Sequence, residues 1–256
     1  MSQATKELIS LKRASLDLAE QRGFDVDHEK GLRDKAYDDP DVFRNLYVNL
    51  LPAQKERNEI KFFDKEKINP LIQFRTYMST YYPPKDKSNL RDGCVVYFTS
   101  TYDNKKVSKE DVTYFCRMLE FFGVNNGIII SKNELPQNIE DLCEEYIPCR
   151  VKKNSNGSYG CFIQHYLDQE LKFNPLNHVL VPKHRILSPE EFDILNFKKD
   201  KLPHISALDP IAKRLGARID DVLEISRKSL ISKTTVITEE ELSYRVVRAP
   251  AKTKKK

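Results

Sequence analysis

Histidine, cysteine and a few acidic–basic clusters are the residues of this chain with chemistry to offer, and their spacing decides what they can do. His178, His184 and His204 stand within one stretch of the chain. A neutral imidazole is a common metal ligand and carries protons near neutral pH. Val-Pro-Lys extends the chain between the first two, however, and no fourth ligand stands at a familiar spacing. The pattern predicts structural or interface histidines and no metal. The five cysteines, Cys94, Cys116, Cys143, Cys149 and Cys161, contain no Cys-x-x-Cys pair. Cys143 and Cys149 are too far apart for a ligand knuckle, so the set reads as thiols in a reducing compartment. A metal-dependent nuclease needs an acidic residue and a Glu-x-Lys on adjacent strands, to hold the cation and polarise water. The apolar run Cys94–Thr99 brings neither carboxylate nor lysine. Asp64-Lys-Glu-Lys67 has the residue types at the wrong spacing. No catalytic residue and no cofactor is assigned.

A second kind of chemistry, recognition, is written into the last third. His178-Val-Leu-Val-Pro-Lys-His184, Leu202-Pro-His-Ile205, Asp209-Pro-Ile-Ala212 and Tyr244-Arg-Val-Val247 are short blocks, three of them punctuated by proline. Proline fixes φ and removes a donor, so Leu202–Ile205 is expected to run extended and outside any central strand, as core packing, as a presented edge or as both. Asp209 before Pro210 reads as a helix cap before a helix-starting proline. Arg214, Arg227 and Arg245 offer planar guanidinium groups suited to carboxylates on a partner. The blocks together predict a small docking domain.

The elements that must position these residues fall into two regions. In the first, Leu8, Leu11, Ser15 and Leu18 recur at helical spacing up to Arg22-Gly23, predicting a helix of about four turns with a glycine cap. Helical turns are expected near Val42–Leu50, a strand over Ile68–Tyr77 and a loop over Tyr81-Tyr-Pro-Pro84. Cys94–Thr99 predicts a buried strand. Ser108 with Asp111 three residues on predicts a helix start, Val112, Phe115, Met118, Leu119 and Phe122 its apolar face, and Gly123 its end. Gly127–Ser131 predicts a second buried strand, and Ile139, Leu142 and Tyr146 another helix. Strand, helix, strand, helix implies a parallel α/β sheet. Lys152–Gly160 reads as an exposed loop. In the second region, strands are expected at Val179–Val181, Val222–Ser226 and Leu242–Val247. Ser188-Pro-Glu-Glu191 predicts a helix to about Phe197, and Asp209-Pro210 opens one closed by Gly216.

The bulk numbers agree with this division. The 256 residues, at roughly 100–150 per domain, suit one or two domains. The expected boundaries are 1–170, 171–248 and a basic tail, 249–256. Residues 1–175 carry 26 basic and 27 acidic side chains, so the net charge of +5 comes entirely from the residues after them. Lys252, Lys254, Lys255 and Lys256 alone supply +4, a tail that reads equally as a solvated charged end or as one that touches nucleic acid or serves nuclear import. A nearly neutral first region predicts few phosphate contacts and weak affinity for DNA. Lys12, Arg13, Lys105 and Lys106 are its candidates. No apolar run approaches the roughly 20 residues that span a bilayer, and the N-terminus lacks a secretory pattern, predicting an intracellular protein.

Taken in order, His178-x-Leu-Val-Pro-x-His184, Ser188-x-Glu-Glu, Leu202-Pro-x-Ile, Asp209-Pro-Ile-Ala, Gly216, Ile225-x-Arg227-x-Ser229 and Tyr244-Arg-x-Val resemble the fifth subunit of eukaryotic RNA polymerases. In archaeal polymerases the second domain of that family stands alone, as a small polypeptide of its own. The resemblance is strong over residues 170–247. Before residue 165 it is one of plan only, through Leu11-Lys-Arg, Gln21-Arg-Gly-Phe24 and the strand–helix–strand from Gly93 to Ser131. It implies an α/β protein with a restriction-endonuclease-like N-terminal jaw domain, without nuclease activity, and a small C-terminal α+β assembly domain. It also implies a nuclear, non-catalytic subunit (nucleolar if specific to polymerase I). The partners would be the largest polymerase subunit and other polymerase subunits, with downstream duplex DNA nearby, and neither membrane nor small-molecule substrate. The residues carried over to the largest-subunit contact are His178, Pro182, His184, Leu202, Pro203, His204, Ile205, Asp209, Pro210, Arg214, Arg227, Tyr244 and Arg245. The alternatives are a free nucleic-acid-binding protein with an inactive nuclease-like domain, or an active nuclease. Three features depart from the family: Asp220 where glycine is usual, a longer Leu230–Leu242 stretch, and the lysine tail. They suit a divergent or polymerase-specific paralogue.

Overall fold

The computed structural model describes residues 3–27, 29, 75, 78–86, 92–99, 107–135, 162–230 and 238–249. The chain divides into two units, Met1–Phe173 and Asn174–Lys256. The sequence expectations at Val42–Leu50, Asp64–Lys67, Ile139–Tyr146, Lys152–Gly160, Lys105 and Lys106 lie outside the described residues, as do the tail lysines.

The first unit is built on a four-stranded sheet, order β1-β2-β3-β4. Its strands are β1 (Thr80–Tyr82), β2 (Cys94–Phe98), β3 (Asn126–Ser131) and β4 (Phe162–Leu167). β2, β3 and β4 run parallel, and β1 pairs antiparallel to β2. β2 and β3 are buried almost throughout. That is why they read as continuous apolar runs and not as alternation. Helix α1 (Gln3–Gln21) lays Leu8, Leu11, Leu16 and Leu18 against Val96, Phe98, Ile128 and Ile130. Helix α2 (Lys109–Phe122) lays Val112, Phe115, Cys116 and Leu119 against Val95, Tyr97 and Ile129. Successive strand residues face opposite helices, as the period of two requires. A short helix, α3 (Asp168–Lys172), follows β4.

Both ends of α2 are set locally. The Ser108 hydroxyl accepts the Asp111 N–H at 3.1 Å, and Gly123 closes the helix at φ +67°. Between helix and sheet, Gly127 lets the Phe115 ring approach. A Cβ there would collide with the Phe115 ring.

Two expectations in this unit are corrected. Tyr81 and Tyr82 belong to strand β1, and Arg75 is helical where a strand was expected. The tyrosines pair because Tyr82 is fully buried opposite Cys94. Proline enters only after them, so the Pro83-Pro84 signal marks the end of a strand.

The second unit holds another four-stranded sheet, order β5-β7-β8-β6. Its strands are β5 (Lys183–Ile186), β6 (His204–Ser206), β7 (Val222–Leu230) and β8 (Thr238–Arg248), with short helices α4 (Pro189–Ile194) and α5 (Pro210–Leu215). The antiparallel pair β7–β8 is its spine. One small core gathers Ala212, Ala217, Leu223 and Val247, and another Leu187, Phe192 and Val222. Helix α4 stops short of the expected Phe197, because Asn196 takes φ +54° and its N–H turns back to Asp193 O. β7 and β8 run past the predicted Ser226 and Leu242, so part of the unusual Leu230–Leu242 stretch lengthens this hairpin.

Candidate functional site

Two of the proline-punctuated blocks lead into the edge strands β5 and β6 of the second sheet, and the third opens helix α5. A single 3₁₀ turn, Pro175–Asn177, leads in, capped by the Asn174 side chain on the Leu176 N–H at 3.1 Å. The chain then closes on itself. His178 Nδ1 accepts the Leu180 N–H at 3.2 Å, and the Val181 N–H reaches His178 O at 2.9 Å. Val179–Val181 is therefore a turn and not the expected strand, since two of its three N–H groups are used within the turn. Its consequence is exposure: Val179 is 96% and Leu180 84% exposed.

After the turn, Pro182 O accepts a hydrogen bond from His184 Nδ1 at 2.7 Å, which sets the start of β5. β5 is an edge strand, paired antiparallel with β7 only. On it, Arg185 is held by Glu224 and Glu191 at 2.7 and 2.6 Å. Glu191 also caps α4, accepting the Ser188 N–H at 2.9 Å. That backbone bond first, and Arg185 second, hold the Glu191 carboxyl below its usual range.

Leu202-Pro203 leads into β6, the opposite edge, where His204–Ser206 runs parallel to β8. Pro203 O accepts the Val246 N–H at 3.0 Å. Asp209 Oδ1 accepts the Ile211 N–H at 2.9 Å and caps α5, which Gly216 ends at φ +75°. His178, Pro203, His204, Pro210 and Arg227 are exposed, whereas Pro182, His184, Leu202, Ile205, Asp209, Tyr244 and Arg245 are partly buried. Among the described residues no group of three or more His, Cys, Asp and Glu side chains could hold a metal ion.

Arg214 is a correction. Offered as a partner-binding guanidinium, it is 2% exposed, near the end of α5. A side chain so enclosed serves the fold and does not reach a partner.

Residues 173–247 match the family described as RNA polymerase Rpb5, C-terminal domain. The DNA-directed RNA polymerase subunit Rpo5 of Archaeoglobus fulgidus is 47% identical over 70 residues, 26% of this chain and 92% of the relative. That of Sulfurisphaera tokodaii is 44% identical over 72 residues, 27% and 86%. That of Methanosphaera stadtmanae is 42% identical over 82 residues, 30% and 99%. The chain belongs to the Rpb5 family.

In this Rpb5-family chain the sequence overlooked part of the surface that the second unit exposes. Ile194 at the end of α4 is 82% exposed and Leu208 before α5 66%. With Val179 and Leu180, these are large apolar side chains left to solvent, of the kind that marks association surfaces when contiguous. Ile194 was legible, since it falls two residues after the buried Phe192, toward the opposite face of a short helix. Val179 and Leu180 were hidden by their own strand-like composition.

The Rpb5-family chain also corrects the DNA-facing set in its first unit. Lys12 is fully buried. Its ammonium donates to Met78 O, Thr80 Oγ1 and Tyr82 OH at 2.9, 3.0 and 3.0 Å, and pairs with Glu29 at 3.1 Å. Burial pushes its pKa down, and the Glu29 carboxylate works against that shift. Such a lysine fastens α1 to β1 and does not meet a phosphate. Arg13 is partly exposed.

The carboxylates near the sheet are likewise engaged. Asp168 takes a bidentate pair from Arg75, and Asp111 accepts the Tyr97 hydroxyl at 3.0 Å. Arg75 also donates to Thr99 O and Ile130 O at 2.9 and 3.3 Å, tying the ends of β2 and β3 together.

Proposed function

We propose that, as a non-catalytic subunit of a DNA-directed RNA polymerase, this chain docks on the largest subunit through its second unit. The first unit then forms part of the jaw near downstream DNA, in the nucleus. The observation that carries the reading is the match of residues 173–247 to the Rpb5 C-terminal domain, together with relatives matched over most of their own length. Nucleotidyl transfer belongs to the complex.

Exposed Val179, Leu180 and Leu208 supply apolar contacts for docking, and His178, Pro203 and Pro210 stand near them in sequence with open surface. Removing their apolar surface from water favours association, while exposed charges add specificity and association rate. DNA contact by the first unit is a weak, salt-sensitive contribution.

Replacing Val179 and Leu180 together by glutamate tests the docking. A stably folded variant should lose the largest polymerase subunit on tagged purification from its source, by tenfold or more. Undiminished recovery would remove these residues from the interface.

A further inference from the structure

The closing end of α2 carries a group of aromatic rings that the core does not fully absorb. Tyr81 of β1 stacks on Phe122, with ring centroids 4.7 Å apart and planes at 11°. Phe121 stands edge-on to Phe122 at 5.1 Å and 88°, and it is 58% exposed. Gly93, just before β2, admits the Tyr81 ring, since a Cβ there would collide with it. The Asn126 side chain donates to Asp92 O and Gly93 O at 3.0 and 3.3 Å, so the starts of β2 and β3 meet at the end where α2 closes. The rings form one ladder, partly buried at Tyr81 and Phe122 and open at Phe121.

The charges beside this ladder are of one sign. Glu120 and Asp92 are exposed, and neither carboxylate has a hydrogen bond or ion pair among the described residues. α2 has no basic residue in its last turn to offset the partial negative charge of its carbonyl end. Arg117, a turn earlier, is engaged in a contact of its own. Ring faces are negative too, because the aromatic quadrupole places electron density above the plane. Carboxylates, helix end and ring faces all attract a cation, and the last turn supplies none.

We infer that this ladder receives an arginine side chain of another protein, its guanidinium stacked on Phe121 and its N–H groups turned to the Glu120 carboxylate. A planar guanidinium suits both tasks, since it lies flat on an aromatic face and donates two parallel hydrogen bonds to a carboxylate. Nucleic acid is disfavoured, because its phosphates would meet Glu120, Asp92 and the negative helix end. A second copy of the chain would set Glu120 against Glu120 across an isologous contact. A proline-rich segment would use the rings and leave both carboxylates idle. The inference concerns the first unit and does not rest on docking through the second, so the two can fail separately.

The test uses the full chain with a photoreactive benzoylphenylalanine in place of Phe121, tagged and purified from its source with whatever it holds. Illumination should join this position to another polypeptide, close in sequence to an arginine. No cross-link, or cross-links only within this chain, to a segment without arginine or to nucleic acid, overturn the inference. A synthetic peptide of the cross-linked segment should bind the purified full chain. The same peptide with citrulline for the arginine keeps the shape and loses the charge, and should bind about tenfold less. Phe121→Ala should weaken binding of the arginine peptide about fivefold, and Glu120→Gln about threefold. Both positions are exposed, so both variants should keep the thermal midpoint of the unaltered chain. Equal binding of the arginine and citrulline peptides, or unchanged binding by Phe121→Ala, also overturns it. Recovery of the largest polymerase subunit in the same purification reports on docking separately.

Discussion

A single lysine shows how far residue type alone can mislead. Lys12 follows Leu11 on an amphipathic helix, beside Arg13, and a lysine so placed is ordinarily solvated. Its partners lie 66 to 70 residues away at Met78, Thr80 and Tyr82, so nothing local announces its burial. Lys12→Met should leave Glu29 buried without its cation and cost about 3–5 kcal/mol, as breaking buried pairs does. Urea unfolding of the full chain reads this loss, and an unchanged midpoint would argue for a surface lysine. Asp220 was legible as an oddity but not as a conformation. It adopts φ +73°, a region that suits glycine and that aspartate tolerates. Its carboxylate pairs with Arg248 at the surface, a contact worth roughly 0–1 kcal/mol. Asp220→Gly should therefore change stability by under about 1 kcal/mol, whereas Asp220→Val, β-branched in a left-handed position, should cost about 2 kcal/mol.

Elements with local signals were legible at their ends as well as in kind. α2 carries its cap, its apolar face and its closing glycine within sixteen residues, Ser108 to Gly123, and its bounds follow from them. Its packing on β3 depends on a bare Cα: Gly127→Ala would push against Phe115 and should cost about 1–3 kcal/mol as overpacking does, read as a lower thermal midpoint. α4 was likewise announced by Ser188-Pro-Glu-Glu191. Because the folded state lowers the Glu191 pKa, its contribution is complete above the unfolded value of about 4.3. It is lost as pH falls through the folded value. Glu191→Gln, which can still cap, should flatten the decline of the thermal midpoint between about pH 6 and pH 3. An equally steep decline would mean that Glu191 is not among the titrating groups. The outer half of β7–β8 escaped the sequence reading for a different reason. Its facing residues, Arg227 with Glu241 and Lys228 with Glu240, are charged, so no apolar alternation marks them as strand.

At the scale of the whole molecule, two α/β units share one chain and only the second carries dense family signals. The ordered blocks from His178 to Val247 were readable because each is a local device: a turn, a cap, a proline-led edge or a closing strand. The apolar surface among them was not, since exposure depends on how the sheet leaves Val179, Leu180 and Leu208 uncovered. The first unit's sheet was readable from its buried parallel strands, which cannot hide their apolar runs. Its proposed place near DNA rests on the family alone, and a unit so nearly neutral should bind free duplex weakly. The most direct measurement is mass spectrometry of complexes purified through a tag on the intact chain. The largest polymerase subunit and its companions should appear in proportion to the tagged chain. The chain recovered alone would contradict its membership of the polymerase.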